Sequence, residues 1–257
     1  MDFTINTYTS LLKTLQSQGY TFQSFAEFLQ NPAERSIILR NDVDRLPENA
    51  LRFAKIQAGM GITASYFFRI AAESYHSGII KKIVELGHEI GYHYEDLHLC
   101  KGDIDKAFES FSNNLAQLRQ YYPVKTICMH GSPRSKWDSM DIWEKYDYRS
   151  LGIIGEPYFD IDFDEVFYLT DTGRRWDGWK VSVRDKVPQQ EKRVRQGLVF
   201  HSTNDIIKAA QAGFLPNQIM ITTHPQRWTD KPVAWVKEWV LQNLKNIVKR
   251  ILVAIEK

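Results

Sequence analysis

Short apolar runs alternate with longer amphipathic stretches along most of the chain. Runs typical of buried strands occur at 36–44, 63–70, 89–94, 125–130, 148–154, 165–169, 197–200 and 218–223. Apolar residues at helical spacing predict helices at 47–60, 77–86, 103–121 and 204–212. Two lead-in helices, broken at Gly19-Tyr20, precede the first long strand, and a long amphipathic helix at 235–255 follows the last.

This alternation predicts a parallel α/β sheet, because strands that alternate with helices are typical of βαβ units. About seven such units favour a (β/α) barrel, and a doubly wound open sheet is the alternative. No internal repeat or proline-rich linker divides the 257 residues. We therefore predict a single domain over 1–257, with a helical lead-in at 1–35 and a C-terminal helix at 233–257.

Composition narrows the class of function. The chain has 33 basic and 31 acidic side chains and no basic run, which argues against a nucleic acid or an anionic membrane as partner. Cys100 and Cys128 are too few and too far apart for a disulfide scaffold or a cysteine-rich zinc module. No signal-peptide pattern opens the chain, and no stretch reaches the ~18 apolar residues of a membrane span. We expect a cytoplasmic protein with a small, uncharged partner.

Charged residues gather at the end of the first long strand. In the strand at 36–44, the period of two places Arg40, Asp42 and Asp44 on the face opposite the apolar residues. Two carboxylates therefore reach the C-terminal end of the strand, where (β/α) barrels build their active sites. The alternative for Asp44 is to cap the helix that follows.

Three later strands close with a histidine: His93, His130 and His224. A single histidine on a strand is more often a hydrogen-bonded structural residue than a metal ligand. Together with a strand-end aspartate, however, two of them form a donor set suited to Zn²⁺ or another divalent ion with open positions. A remaining carboxylate can act as general base, and a histidine across the site can protonate a leaving group. These residue types predict a metal-assisted hydrolase.

The order of these motifs resembles the polysaccharide deacetylase (NodB-homology) superfamily. The segments that carry the resemblance are Arg40-Asn41-Asp42-Val43-Asp44, Gly87-His88-Glu89-Ile90-Gly91-Tyr92-His93, His130-Gly131-Ser132-Pro133 and Thr223-His224-Pro225. The resemblance implies a distorted (β/α)7 barrel and a divalent metal, with zinc the leading candidate. It also implies hydrolysis of an N-acetyl or O-acetyl group on a sugar or oligosaccharide, the N-acetyl reaction breaking a non-peptide carbon–nitrogen bond.

The resemblance implies roles for individual residues. Asp42 matches the superfamily's base, and Asp44 matches the metal-binding aspartate in the Asp-x-Asp version of the first motif. His93 matches the first metal histidine. His224 matches the acid that protonates the departing group, and Pro225 after it is consistent with that motif.

The third metal ligand departs from the superfamily pattern. The second metal histidine normally lies four residues after the first, where this chain has Leu97. His130, Glu95 and His98 are the candidates for the vacant role. We favour His130, because the scaffold fixes a strand end whereas His98 depends on a loop. His130 also falls where the superfamily usually has an Arg-x-Pro motif, so its alternative role is a substrate contact.

Further residues are predicted to contact the substrate. The segment at 168–179 is polar, aromatic and glycine-bearing, which suits a loop that stacks on sugar rings through Trp176 and Trp179 and binds their hydroxyls through Arg174. A solvated hairpin with structural tryptophans is the alternative. Glu95 and Arg40 complete the predicted contacts, and Arg40 can instead orient Asp42 by a charge-assisted hydrogen bond.

The leading hypothesis is a metal-dependent carbohydrate deacetylase. A carbohydrate-binding barrel with impaired catalysis is the first alternative, since the second metal histidine is missing. A metal hydrolase of another carbon–nitrogen, ester or phosphoester bond is the second, because fold does not fix function.

Overall fold

The computed structural model describes residues 1–131, 135–177 and 186–255, with side chains as far as residue 247. Seven parallel strands form one sheet within this part of the chain. Their bounds are β1 Thr21–Gln23, β2 Ser36–Val43, β3 Ser65–Phe68, β4 Glu89–Tyr94, β5 Ile127–Met129, β6 Phe167–Thr170 and β7 Gln218–Thr223. The strands follow the order β5-β4-β3-β2-β7-β6, and β1 pairs with the first residues of β2.

Helices follow most of the strands. They are α1 Ile5–Ser17, α2 Phe25–Gln30, α3 Pro47–Gly59, α4 Ser77–Glu85, α5 Asp96–Leu99, α6 Ile104–Arg119, α7 Ile142–Lys145, α8 Pro157–Asp160, α9 Gln190–Arg195, α10 Thr203–Gln211 and α11 Pro232–Ile255. Among the described residues, no helix combines the length and the apolar character that a membrane span requires.

Most of the predicted elements are confirmed, and two strands are wrong. The residues at 148–151 form a short 3₁₀ helix, because the Asp147 side chain accepts a hydrogen bond from the Arg149 N–H and caps it. The residues at 197–200 form no strand, since the backbone N–H of Leu198 bonds back to Arg193 at the end of α9. The short strand β1 was not predicted; it lies at the predicted break between the lead-in helices.

Side chains from both ends of the strand order meet in one interior cluster. Cys128 of β5 and Tyr168 of β6 belong to the same buried group as Ile38 of β2 and Met220 of β7. Since β5 and β6 are the two ends of the order, they share a cluster only if the sheet curves round on itself. The structure confirms a distorted (β/α) barrel and not a doubly wound open sheet.

The outer face of the barrel carries the larger core. The alternate residues of β2, Ile37, Leu39 and Val43, are fully buried there in a cluster that includes Leu11 and Leu12 of α1. Each such side chain stabilises the fold by about 1.5–3 kcal/mol on transfer from water. The strand period therefore sends Arg40 and Asp42 inward as a consequence of this outer core.

The barrel is distorted between β5 and β6, where the described residues form no continuous ladder. Glu156 bridges part of this gap: its carboxylate accepts hydrogen bonds from the backbone N–H of Met129 at 3.0 Å and of Tyr158 at 2.5 Å. Burial raises the pKa of the Glu156 carboxyl to about 7, although the two N–H donors oppose the rise. The folded state therefore keeps a proton that the unfolded chain releases near the ordinary value of 4.5.

The raised pKa of Glu156 predicts that the free energy of unfolding depends on pH. Between about pH 4.5 and 7 the folded state binds more protons than the unfolded state, so the free energy of unfolding falls as pH rises. Relative to Glu156→Gln, the wild type should lose up to about 3 kcal/mol across that window and no more above it. Urea unfolding at pH 5 and pH 8 measures the difference. The exposed control Glu191→Gln should track the wild type, and a Glu156→Gln curve parallel to the wild type would contradict the prediction.

Candidate metal centre

Asp44 lies directly after β2, where the chain turns sharply. Leu46 adopts a left-handed φ of 53°, an uncommon conformation for leucine, and it is the N-cap of α3 without a side-chain cap bond. Asp44 therefore does not cap that helix. The segment between β3 and α4 holds the backbone at this turn: Arg69 donates to the Asp44 carbonyl at 3.2 Å, and Ser74 donates to the Val43 carbonyl.

The two oxygens of the Asp44 carboxylate differ in their hydrogen bonding. Gln226 donates to Oδ2 at 3.0 Å. Oδ1 is buried and accepts no hydrogen bond, which is costly for a carboxylate oxygen unless another partner arrives. Burial acts to raise the pKa of Asp44, but the facing His130, together with His93 and His224, outweighs it and holds the pKa well below its ordinary value.

His93 is the fifth residue of β4, and its side chain is almost fully buried. Its Nδ1 lies 3.0 Å from the carbonyl oxygen of Cys128 on β5. A carbonyl only accepts, so Nδ1 carries the proton and Nε2 presents its lone pair when the ring is neutral. Gly91 lies two residues before His93 on the same face of β4. A Cβ there would lie 2.3 Å from the Phe67 ring, so only glycine fits at this position.

His130 follows β5, and its Nδ1 points toward the same place as His93 Nε2. The two nitrogens are 3.2 Å apart, and His130 Nδ1 is 3.2 Å from Asp44 Oδ1. His93 Nε2 is 3.6 Å from the same oxygen. Three ligand atoms therefore form a nearly equilateral triangle.

The size of this triangle fits a tetrahedral metal site. Bond lengths of about 2.0–2.1 Å to nitrogen and oxygen place neighbouring tetrahedral ligands roughly 3.3 Å apart, close to the 3.2, 3.2 and 3.6 Å observed. The donor set of one carboxylate and two imidazoles suits Zn²⁺. Among the described residues, Asp44, His93 and His130 are the group of metal-binding side chains that lie close enough to share an ion.

Glu95 and Arg69 stand behind His130. The Glu95 carboxylate oxygen Oε2 lies 3.8 Å from His130 Nε2, on the side of the ring away from the triangle. Arg69 fixes Glu95 through two hydrogen bonds to Oε1, at 2.8 Å from Nε and 2.5 Å from Nη2. A carboxylate behind a ligating imidazole orients the ring and raises its basicity. Glu95 was predicted to bind substrate or to be the third metal ligand; the structure places its carboxylate beside His130, where Arg69 holds it.

Asp42 lies inside the barrel next to the triangle. Its Oδ2 is 3.7 Å from His93 Nε2. Arg40 grips the carboxylate with two hydrogen bonds, 2.8 Å from Nε to Oδ1 and 2.6 Å from Nη2 to Oδ2. Burial acts to raise the pKa of Asp42, but the charges of Arg40 and His93 outweigh it, and the pKa lies below its ordinary value. Asp42 is therefore ionised at neutral pH.

Arg40 is almost fully buried and uses its guanidinium on Asp42. The charge-assisted hydrogen bond that orients Asp42 is present through Nε and Nη2, whereas Nη1 is buried without a hydrogen-bond partner among the described residues. The substrate contact through Arg40 stays a prediction.

His224 follows β7 and reaches the triangle from the opposite side. Its Nε2 is 3.9 Å from Asp44 Oδ2. Asp171, directly after β6, accepts from His224 Nδ1 at 2.6 Å and from the His224 backbone N–H at 2.9 Å. Arg227 and Trp228 also donate to the Asp171 carboxylate, at 2.8 Å and 2.6 Å. Burial acts to raise the pKa of Asp171, yet His224 and Arg227 hold it below the ordinary value.

The predicted sugar-contacting loop does not reach the centre through the residues expected of it. Trp176 is buried in the main core, where its indole N–H donates to Thr203 at 2.9 Å, so the prediction that it stacks on substrate is wrong. Arg174 is also buried: it donates to the Trp235 carbonyl at 2.8 Å, and its guanidinium stacks on that indole at 4.2 Å. Arg174 therefore contacts α11, and these contacts do not support its predicted role in binding substrate. Trp179 lies outside the described residues.

The residue at position 97, where the superfamily pattern has its second metal histidine, belongs to the hydrophobic core. Leu97 is buried in α5 against Ala107 and Ile142, so it faces an apolar cluster. His98 follows it and is absent from the group of potential ligands that the described residues form.

Arg69, Asp171 and Gln226 contact the centre although the sequence did not single them out for it. Arg69 and Asp171 directly follow β3 and β6, so their strand-end positions were the available signal. Gln226 gave none, because its side chain reaches Asp44 only through the turn after His224.

Searches against protein-family models and against curated proteins return no match. Solved structures do show similarity. A CE4 family pseudoenzyme from Bacillus anthracis is 12% identical, with a TM-score of 0.44 over 84% of this chain and 63% of that one. This chain therefore spans just under two thirds of the pseudoenzyme's length.

Two further similar structures are family 4 carbohydrate esterases. The one from Bacillus anthracis is 11% identical over 91% of this chain and 84% of its own, with a TM-score of 0.43. The one from Streptomyces lividans, in complex with acetate, is 14% identical over 82% of this chain and 88% of its own, with a TM-score of 0.38.

Proposed function

We propose that this protein is a metal-dependent hydrolase that removes an acetyl group, N-linked or O-linked, from a carbohydrate. The observation that carries the proposal is the triangle of Asp44 Oδ1, His93 Nε2 and His130 Nδ1, with Asp42 and His224 next to it. The acetylated sugar as substrate is supported by the ordered motifs that resemble polysaccharide deacetylases.

Asp44, His93 and His130 would hold the divalent ion, with Zn²⁺ favoured by the donor set. When bound, such an ion supplies Lewis-acid chemistry, since it acidifies water and polarises an acyl carbonyl. The supporting contacts are in place: the Cys128 carbonyl fixes the tautomer of His93, and Glu95 stands behind His130.

Asp42 is the proposed general base. The guanidinium of Arg40 keeps its carboxylate ionised and fixes its plane, which leaves Oδ2 3.7 Å from His93 Nε2. As the water oxygen bonds to the acyl carbon, the water proton passes to Asp42. Arg40 and Asp42 need little rearrangement during the reaction, because both side chains are already buried and bonded to each other.

His224 is the proposed general acid. A carboxylate only accepts, so His224 Nδ1–H donates to Asp171 and Nε2 is the ring atom that faces the site and would give up its proton there. When the bond from the acyl carbon to the sugar nitrogen or oxygen breaks, that proton goes to the departing atom, and acetate is the other product. Arg227 and Trp228 hold Asp171 and hence the ring of His224.

A barrel with impaired catalysis was an alternative because Leu97 replaces the expected second histidine. The position of His130 weakens the reason for it, since a third donor reaches the triangle from β5. A metal hydrolase of another bond is the second alternative, and substrate profiling separates it from the proposed deacetylase.

Acetate release tests the proposal. We expect zinc-loaded protein to release acetate from at least one member of a panel of N-acetylated and O-acetylated mono- and oligosaccharides, and to lose this release on exhaustive chelation. Acyl amides without a sugar and phosphoesters serve as the comparison set. Turnover of the comparison set alone, or no acetate from any sugar by metal-loaded protein, would contradict the proposal.

A further inference from the structure

One face of α11 exposes an unusual concentration of apolar side chains. Of the 13 large hydrophobic side chains described as exposed, seven lie on this helix, so the exposure is local and not spread over the molecule. These seven, defined as the apolar face of α11, are Val233, Val236, Trp239, Val240, Leu241, Leu244 and Ile247. Five of them recur at intervals of three or four residues and so share one side of the helix.

The face of α11 that contacts the barrel is mostly polar instead. Its inward positions are Trp235, Glu238, Gln242 and Asn246, which recur at intervals of three or four residues. Glu238 pairs with Arg45 at 2.6 Å, and Asn246 donates to the Gly173 carbonyl at 2.9 Å. The usual orientation of an amphipathic helix, apolar side inward, is therefore reversed.

A reversed helix of this length needs another surface to cover it. Seven apolar side chains on one helix, each 39–83% exposed, are a local concentration of the kind that marks an interaction site. Each of them contributes to binding when it leaves water, at roughly 25 cal/mol for every Å² of apolar surface removed.

The charges on α11 indicate what that surface is. In the part of the helix with described side chains, Lys237 and Lys245 are exposed, whereas the acidic Glu238 is largely buried against Arg45. Helix residues 248–255 add two more basic residues and no acidic one. Two copies of the helix packed face to face would bring lysines together without a carboxylate to neutralise them. An anionic bilayer suits both features, since its acyl boundary takes the apolar side chains and its headgroups take the lysines.

We propose that α11 lies on an anionic lipid surface through its apolar face. The net charge of +2 for the whole chain was the argument against an anionic membrane as partner. That sum does not show that basic residues are concentrated on α11. Arg45, which holds Glu238, directly follows Asp44. The lipid-bound helix therefore lies beside the candidate metal centre, and the proposal does not depend on what that centre hydrolyses.

Vesicle co-sedimentation of the full-length protein tests this inference. We expect binding to phosphatidylcholine vesicles that contain phosphatidylglycerol, at least tenfold weaker binding to phosphatidylcholine alone, and weakening by 0.5 M NaCl. Val240→Glu with Leu244→Glu should reduce binding at least tenfold. Both positions are exposed, so the fold and the zinc affinity should be unchanged. Lys237→Glu with Lys245→Glu should abolish the preference for the anionic vesicles.

The matched controls lie elsewhere on the surface. Phe214→Glu replaces an equally exposed apolar side chain on the loop after α10, and Lys13→Glu reverses an exposed lysine on α1; both should bind vesicles as the wild type does. Absence of binding by the wild type overturns the proposal. So does a lipid-free dimer, seen by light scattering, that Val240→Glu with Leu244→Glu dissociates, because a second copy would then be the partner of the apolar face.

Discussion

Asp42→Asn is expected to lower kcat for acetate release by about 10²–10⁴-fold, the range typical for loss of a general base. The amide cannot accept the water proton, yet it matches the carboxylate in size and keeps an oxygen for one of the two Arg40 bonds. Zinc affinity should stay within a few-fold, since the 3.7 Å contact of Asp42 with His93 is not a ligand bond. Steady-state acetate release and a competitive zinc titration of the same protein measure the two effects.

Stability needs a separate check in this variant, because Arg40 is left buried beside a neutral partner. We expect Asp42→Asn to lower the free energy of unfolding by about 1.5–3 kcal/mol, the usual size for hydrogen bonds to a charged group. Assays well below the unfolding transition keep this loss apart from the catalytic one. The matched control is Asp164→Asn, whose carboxylate pairs with Lys192 at the surface. Wild-type turnover in Asp42→Asn would exclude Asp42 as the base.

The sequence predicted the features that follow from strand periodicity. The outer positions of β2 are apolar and fully buried, so its inner positions follow by alternation, and Asp42 faces into the barrel as expected. The same reasoning placed His93 near the C-terminal end of β4 and His224 directly after β7. Since parallel strands end at one rim, side chains far apart in sequence were expected to converge.

Features that depend on packing across the fold were not predictable. The segment at 168–179 was equally compatible with a sugar-binding loop and with structural tryptophans, and only tertiary contact decides: Trp176 packs against Phe3 and Trp228. The reversed orientation of α11 is invisible in the sequence for a related reason. An amphipathic pattern predicts which side chains share a face, and it does not say which face meets the protein.

His130→Ala is expected to weaken zinc binding by more than about 100-fold, since even removal of a supporting residue behind a ligand costs about 10–100-fold. The side chain is partly exposed and bonds to no backbone group, so the fold should tolerate its loss. Competition against a chromophoric chelator measures the affinity without reference to activity. A variant that binds zinc as tightly as the wild type would show that His130 is not a ligand and would return it to the alternative role of substrate contact.

The other candidates for the third ligand supply the controls. His98→Ala should leave zinc affinity within about twofold, because His98 is outside the group of converging donors. Glu95→Gln should cost about 10–100-fold, as loss of the carboxylate behind His130 loosens the ring without removing a ligand. Addition of Leu97→His to His130→Ala should restore nothing, since residue 97 packs against Ala107 and Ile142. The proposal thus takes the third ligand atom of this centre, a histidine nitrogen, from the end of β5, where the sheet and the Arg69–Glu95 pair position it.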